Sequence, residues 1–266
     1  MPPLLMMAVR SLIAGTLLFA WARFRQHERP APGQWPAAAA VGTILFLGCH
    51  GLLAWAEQTV PSGVAALPLA TIPVWLTLLD WASGGPRPGW RAGVGLALGL
   101  LGLVFLIGPG ARHGAPLVPL LALVGSALGW AAGSILSRRL PRPPSLILAS
   151  GMQLICGGVA LAVVGLALGE AGRVDAGVLA PRAVLAFVYM VVAASLIGFT
   201  AYMWLLRVST PARVGTYAFV NPVVALFVGW AFAGEGLDAR TLLASLVIVA
   251  GVALVVASPA RVSAAR

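Results

Sequence analysis

The stretches VPSGVAALPLATIP (60–73) and STPARVGTYAFVNP (209–222) stand 149 residues apart and, allowing a one-residue slip, read as two copies of one pattern. The same offset lays Trp55 on Trp204, Pro73 on Pro222 and Gly102 on Gly251. An offset of 143 lays Arg10 on Gln153, and Ala14 and Gly15 on Gly157 and Gly158. What is duplicated is a series of apolar runs. A helix crossing the hydrocarbon core needs about 20 apolar residues. Nine such runs are bounded by Arg, Pro and Gly: 3–22, 36–57, 62–82, 91–108, 116–137, 145–168, 182–206, 212–233 and 240–258. The first four correspond in order to the last four, and the fifth has no partner. Each repeat therefore contains five helices, and an odd number gives the two repeats opposite orientation in the membrane. The expected fold is an all-α polytopic membrane protein: nine transmembrane helices of a five-plus-five inverted-repeat bundle whose first helix is missing. Residues 1–108 make the first repeat, with four of its five helices, and 116–258 the second, with all five.

Composition agrees with a bilayer as the solvent. The chain has 266 residues, 60% of them hydrophobic and 9% charged, with a mean hydropathy of +0.98. A soluble domain runs nearer half apolar and a quarter charged, so a soluble globular domain and a disordered tail are both excluded. The formal charge of +10 comes entirely from arginines scattered between apolar runs. That distribution is a topology signal and not a nucleic-acid patch. Cys49 and Cys156 lie inside apolar runs with no CxxC, which offers neither a disulfide frame nor a metal knuckle.

Arginine on the cytoplasmic side resists translocation during insertion. Alternate connections hold Arg23, Arg25, Arg29, Arg87, Arg91, Arg138, Arg139, Arg142, Arg207, Arg213, Arg261 and Arg266 on one side, against Arg112, Arg173, Arg182 and Arg240 on the other. Twelve against four places the C-terminus in the cytoplasm of an inner-membrane protein. Trp21, Trp35, Trp81 and Trp90 fall at the cytoplasmic span ends, as an interfacial belt requires. With nine spans the N-terminus is then external. Two accounts of that are open: residues 1–22 act as a signal peptide ending at Ala20-Trp21-Ala22, or the chain begins one helix late. The broken symmetry of the repeat favours the second.

Five segments carry a family resemblance: LLMMAVRSLIAGTLLF (4–19), AWAEQTVPSGVAA (54–66), GVGLALGLLGLVFLIG (93–108), GSALGWAAGSILSRR (125–139) and YAFVNPVVALFVGWAFAGEGLDARTLLASLVIVAGVALVV (217–256). Over nearly its whole length the chain resembles the EamA-type transporters of the drug/metabolite transporter superfamily. The resemblance implies ten helices with cytoplasmic termini, a central cavity between the repeats, and export or exchange of small metabolites. Two departures stand out. The first helix is absent, and Pro86 stands where the second half has Glu235.

Polar groups in hydrocarbon are costly and face a cavity or a partner. The seven acidic residues touch the spans only at Glu57 and Asp80, near their ends, which weakens a carboxylate-relay pump. Neither HExxH nor GxSxG occurs, so no catalytic residue, metal or cofactor is expected. His50 and Glu57, seven residues and close to two helical turns apart, share one face of the second span with Leu53 and Ala54 between them. That face either lines a cavity able to hold a proton or cation, or ends the helix at the interface. Arg10 lies inside the first span and needs a partner, either Glu57 or a substrate carboxylate. Pro73 and Asn221-Pro222 occupy matched positions, where a helix break lines a transport site or merely kinks for packing. Trp55, Trp75, Trp130, Tyr202, Trp204 and Tyr217 supply aromatic faces suited to amphipathic solutes, or face lipid or pack between helices. Gly125, Gly129 and Gly133, like Gly95 and Gly99, are read as packing strips.

The expected function is alternating-access transport of amino acids or aromatic and amphipathic metabolites, with the solute, protons and the lipid bilayer as partners and no nucleic acid. A lipid-handling flippase and a truncated, inactive carrier or structural subunit remain open alternatives. The repeat makes one claim checkable in the gene: about 25 to 35 in-frame codons upstream encode an apolar helix with a cytoplasmic N-terminus. A stop codon directly upstream, with no alternative start, defeats that expectation.

Overall fold

In a computed structural model of the chain, the described residues are 2–60, 65, 68–107, 117–174, 180–221, 223–224 and 239–258. They form α1 (Pro3–Arg25), α2 (Gln34–Ala56), α3 (Ile72–Ala82), α4 (Trp90–Ile107), α5 (Leu117–Arg139), α6 (Leu146–Ala167), α7 (Pro181–Val208), the short α8 (Pro211–Gly215) and α9 (Ala239–Ala257). Among these residues α1, α2, α5, α6 and α7 are long and apolar enough to cross a membrane, and α3, α4 and α9 are shorter apolar helices. Large aliphatic side chains point outward all along them: Leu101, Leu121, Leu185 and Leu246 are each 60% or more exposed. Such a surface is tolerable only against lipid tails, so the chain is a polytopic membrane protein, as its composition requires.

The helices gather into two compact units that cut across the sequence repeats. One holds residues 1–55 and 132–208, the other 56–131 and 209–266, and α5 contributes to both. In the first unit α1 packs along α6, its counterpart in the repeat. The pair is antiparallel, since Gly15 meets Leu154 and Ile155, Gly158 meets Leu12, and Gly165 meets Leu4 and Leu5. A methyl group on Gly15 would lie 2.8 Å from the Ile155 nitrogen, and one on Gly151 would lie 2.8 Å from the Phe19 nitrogen. Lipid gives helices no hydrophobic reason to associate, so small residues that let backbones touch take over that role. The flanking helices follow the same symmetry: α2 lies on α6 and α7 lies on α1.

The second unit repeats this logic. Its α4 and α9, again counterparts, cross antiparallel with Gly95 against Gly251 and Gly102 against Ile248. The core between them holds Leu96, Leu103, Phe219, Ile248 and Val255, all buried. Gly99 leaves the space in which the Phe219 ring sits. Within the same unit α3 and α8 also meet, through Gly215 on Pro73 and Leu76.

The tryptophan belt has a regular construction. Trp21, Trp81 and Trp90 are exposed, and each carries a guanidinium over its ring: Arg25 at 5.6 Å, Arg87 at 6.0 Å and Arg91 at 5.6 Å. Cation–π pairs of this kind suit the wet edge of a bilayer, where one end of the ring is apolar and the other hydrated. Trp35 is instead half-buried and packs against Phe19, with ring centroids 5.8 Å apart.

Backbone contact at Gly251 predicts a sharp cost of adding one carbon. Its methyl would lie 2.7 Å from the Gly95 carbonyl oxygen, whereas at Gly33 nothing lies within 4 Å. Gly251→Ala should destabilise the detergent-solubilised protein by about 1–3 kcal/mol, read as a lower unfolding temperature, and Gly33→Ala should leave it unchanged.

Candidate functional site

Helices two and seven are not α-helical throughout. In α2 the segment Thr43–Gly51 is π-helical, and in α7 the segment Met190–Gly198 is too. Their starts lie 147 residues apart (190 minus 43), close to the 149-residue repeat, so the same distortion occurs once in each half. A π segment widens the turn, displaces carbonyls from the regular ladder and concentrates at functional positions. His50 lies at the end of the first segment and Ser195 within the second.

The π segment changes the expected face. A seven-residue spacing aligns two side chains only along uninterrupted α-helix. Here His50 sits in the wider π turn, α2 ends at Ala56, and Glu57 lies exposed in the turn that follows. The two belong to different compact units.

Inside the first unit lie a buried aromatic group and several buried polar side chains. Phe46 is fully buried and touches the His50 ring at 5.3 Å and the Phe199 ring, edge on, at 5.1 Å. The Tyr202 hydroxyl and Ser134 Oγ share a buried hydrogen bond of 2.7 Å. Arg10 is 7% exposed and lies within Coulombic range of His50. Among the described residues Arg10 forms no ion pair, and its buried Nε has no hydrogen-bond partner. Its repeat counterpart Gln153 is also buried, with Oε1 unpartnered, as are the hydroxyls of Ser11, Ser150 and Ser195. These last four groups were not singled out in the sequence, where only the Arg10–Gln153 equivalence pointed toward them. Two other charges of the same unit have partners. Glu170 accepts from the Leu4 and Leu5 amides at 3.3 and 2.9 Å, capping the start of α1. Arg207 donates to the Pro144 carbonyl at 2.7 Å.

The remaining expected site residues divide between the units. Trp55 and Trp204 belong to the first, and both are exposed. In the second, Trp130 is buried, Tyr217 is half-buried and Asn221 is a helical, exposed residue. Pro222 lies outside the described residues. Pro73 is not a kink inside a continuous helix. It stands in the first turn of α3, where a missing N–H costs nothing. The break before it is held by side chains: Thr71 Oγ1 donates to the Pro68 carbonyl at 2.6 Å and accepts from Trp75 Nε1 at 3.0 Å.

The chain matches the model of the EamA-like transporter family at residues 1–108 and 117–257. It is 37% identical over 255 residues to a protein of Escherichia coli K12 named an uncharacterized inner membrane transporter, YedA, covering 96% of this chain and 81% of the relative. It is 27% identical over 233 residues to a protein of Streptantibioticus cattleyicolor named "Probable terminal-alkyne amino-acid exporter", covering 86% and 75%. A solved crystal structure superposes with a TM-score of 0.76 at 20% identity, covering 96% of this chain and 88% of that one.

The exposed position of Asn221 makes it a usable probe. The variant Asn221→Cys should react with a small membrane-permeant thiol reagent, while Cys49, 3% exposed, stays unmodified under the same conditions. Inert Asn221→Cys in an active protein would place the position against a neighbouring helix.

Proposed function

Because this chain belongs to the EamA-like transporter family, a family of multi-pass membrane transporters, we propose that it moves small carboxylate-bearing metabolites, amino acids and aromatic or amphipathic acids, by alternating access at mid-membrane depth. The observation that carries this reading is Arg10, a guanidinium buried inside a membrane span with no ion pair among the described residues. An isolated charge at such depth costs several kcal/mol. A carboxylate arriving with the solute relieves that cost, and a bidentate guanidinium–carboxylate pair gives both affinity and orientation. The choice of an acid solute also agrees with the amino-acid exporter named among the relatives.

The neighbourhood supplies the rest of a solute's needs. Phe46, Phe199 and Tyr202 are buried in this structure and would supply apolar faces once the unit opens to a solute, and His50, in Coulombic range of Arg10, is a candidate proton carrier. The paired π segments provide the local give that alternating access needs, since each releases backbone groups from the regular ladder in the middle of a span. An outward direction accords with the exporter named among the relatives, and a cytoplasmic C-terminus with the arginine asymmetry of the connections.

Proteoliposomes loaded with labelled phenylalanine, assayed with and without a pH gradient, test this reading. Wild type should carry phenylalanine and not phenylalaninamide, which lacks the carboxylate. Arg10→Gln should lower flux by about 100-fold, the worth of a lost charge-assisted pair, and Arg10→Lys should keep part of it. The unfolding temperature of each variant serves as the control. Equal flux of acid and amide, or undiminished flux in folded Arg10→Gln, would remove Arg10 from the transport site. His50→Ala should reduce flux while leaving yield and unfolding temperature near wild type. A yield that collapses with the activity would make His50 structural.

A further inference from the structure

A cavity of about 360 Å³ opens in the second unit where α3 ends, α4 begins and α9 ends. It lies in the lower part of the range of about 300–1,000 Å³ that small-ligand sites occupy. Arg87, Arg91 and Arg213 line it together with one carboxylate, Asp80. Three cations against one anion leave a surplus of two positive charges (3 − 1 = 2).

These arginines are held in place without carboxylates. Arg87 and Arg91 lie over the rings of Trp81 and Trp90, and among the described residues they make no ion pair. Arg213 uses one of its five N–H donors, Nη2, on the Ser258 carbonyl at 2.6 Å. That contact pins the guanidinium to the wall while its other donors have no acceptor among the described residues. Ser258 also lines the cavity, and its buried Oγ has no partner there. Preorganised guanidiniums and a spare hydroxyl around a void are the donor set of a site for a tetrahedral oxyanion. A carboxylate site would need one guanidinium, whereas three converging on one cavity match the greater charge and oxygen count of a phosphate.

We propose that this cavity binds a phosphate group, and that the phosphate is the headgroup of an anionic phospholipid. The location argues for the lipid as its source. Trp90, 72% exposed, lines the mouth at the first residue of an apolar helix, the depth at which interfacial tryptophans meet headgroups. Basic pockets between helices at that level recognise anionic headgroups. This site is separate from Arg10 and His50, which belong to the other unit, so its test does not depend on any transported solute.

The full-length protein, purified in mild detergent, is titrated with dioleoylphosphatidylglycerol and with dioleoylphosphatidylcholine by native mass spectrometry. In parallel its unfolding temperature is followed in sodium phosphate and in sodium chloride at equal ionic strength. The anionic lipid should bind about tenfold more tightly than the zwitterionic one. The double variant Arg87→Gln, Arg91→Gln, exposed positions whose loss leaves the core intact, should abolish that preference, and Arg213→Lys should weaken it. Phosphate-specific stabilisation lost in the same variants, with no preference between the lipids, would keep the phosphate site and assign it to a soluble ligand. No preference for phosphatidylglycerol together with no phosphate effect beyond chloride would overturn the proposal. So would a preference that survives all three substitutions.

Discussion

Contact between helix backbones across glycine is the constraint on which the rest of this structure depends. The repeat counterparts α1 and α6 make it, as do the counterparts α4 and α9, and α2 makes it on α6 where Gly42 meets Gly157. Within each counterpart pair a contact made by one helix is answered by the equivalent contact of the other. Lipid tails solvate leucine as well as another leucine does, and association must therefore come from dense packing and interhelical polar contact. Glycines at Gly15, Gly151, Gly95 and Gly251 permit that density. Everything that lines the interior of a unit, including Arg10 and the Phe46 group, is positioned by helices set at this short separation.

The second determinant is how charge is treated once water is gone. At the helix ends charges are answered locally: Glu170 caps α1, Arg142 donates to the carbonyls of Ser137 and Arg138 at the end of α5, and Arg207 reaches Pro144. Each is cheap because water or a backbone dipole is close by. Arg10 departs from this pattern, deep in a span and without an anion in reach among the described residues. Removing one partner of a buried pair leaves a heavy penalty, and Arg10 stands in that unpaired condition at rest. Under the proposed transport of acids, that penalty would be lifted only while the solute is bound. The arginines around Trp81 and Trp90 solve the problem differently, resting on aromatic faces at the interface.

The π segments link these two themes. Tight helix pairs are rigid, yet a carrier must change shape around its solute. Placing one π turn at matched positions of α2 and α7 confines the weakness to helices that flank the rigid α1–α6 pair. His50 and Ser195 sit in those turns, so the groups nearest Arg10 in chemistry are also those on the backbone with the most latitude to move.

Membrane residence, the ends of the first, second, fifth, sixth and seventh spans and the family resemblance were legible in the chain itself, because hydrocarbon imposes a length and composition on each span, whereas the third span, read as 62–82, forms its helix α3 only from Ile72. Arg10 was visible as a charge in an apolar run. Its lack of a partner was not, because pairing depends on which helices become neighbours. The sequence spacing aligned His50 with Glu57 on the assumption of a regular α-helix, and the π turn together with the helix end at Ala56 broke that alignment. Pro73 read either as a helix break or as a packing kink, because proline deletes a hydrogen bond wherever it falls, and the fold decided for a break with Pro73 in the first turn of α3. Periodicity and composition are local quantities, and a bilayer makes them strong. Which backbone lies against which, where a cavity opens beside Arg213, and whether a buried charge finds an anion are decided by contacts between residues more than 100 positions apart, and those exist only once the helices have packed.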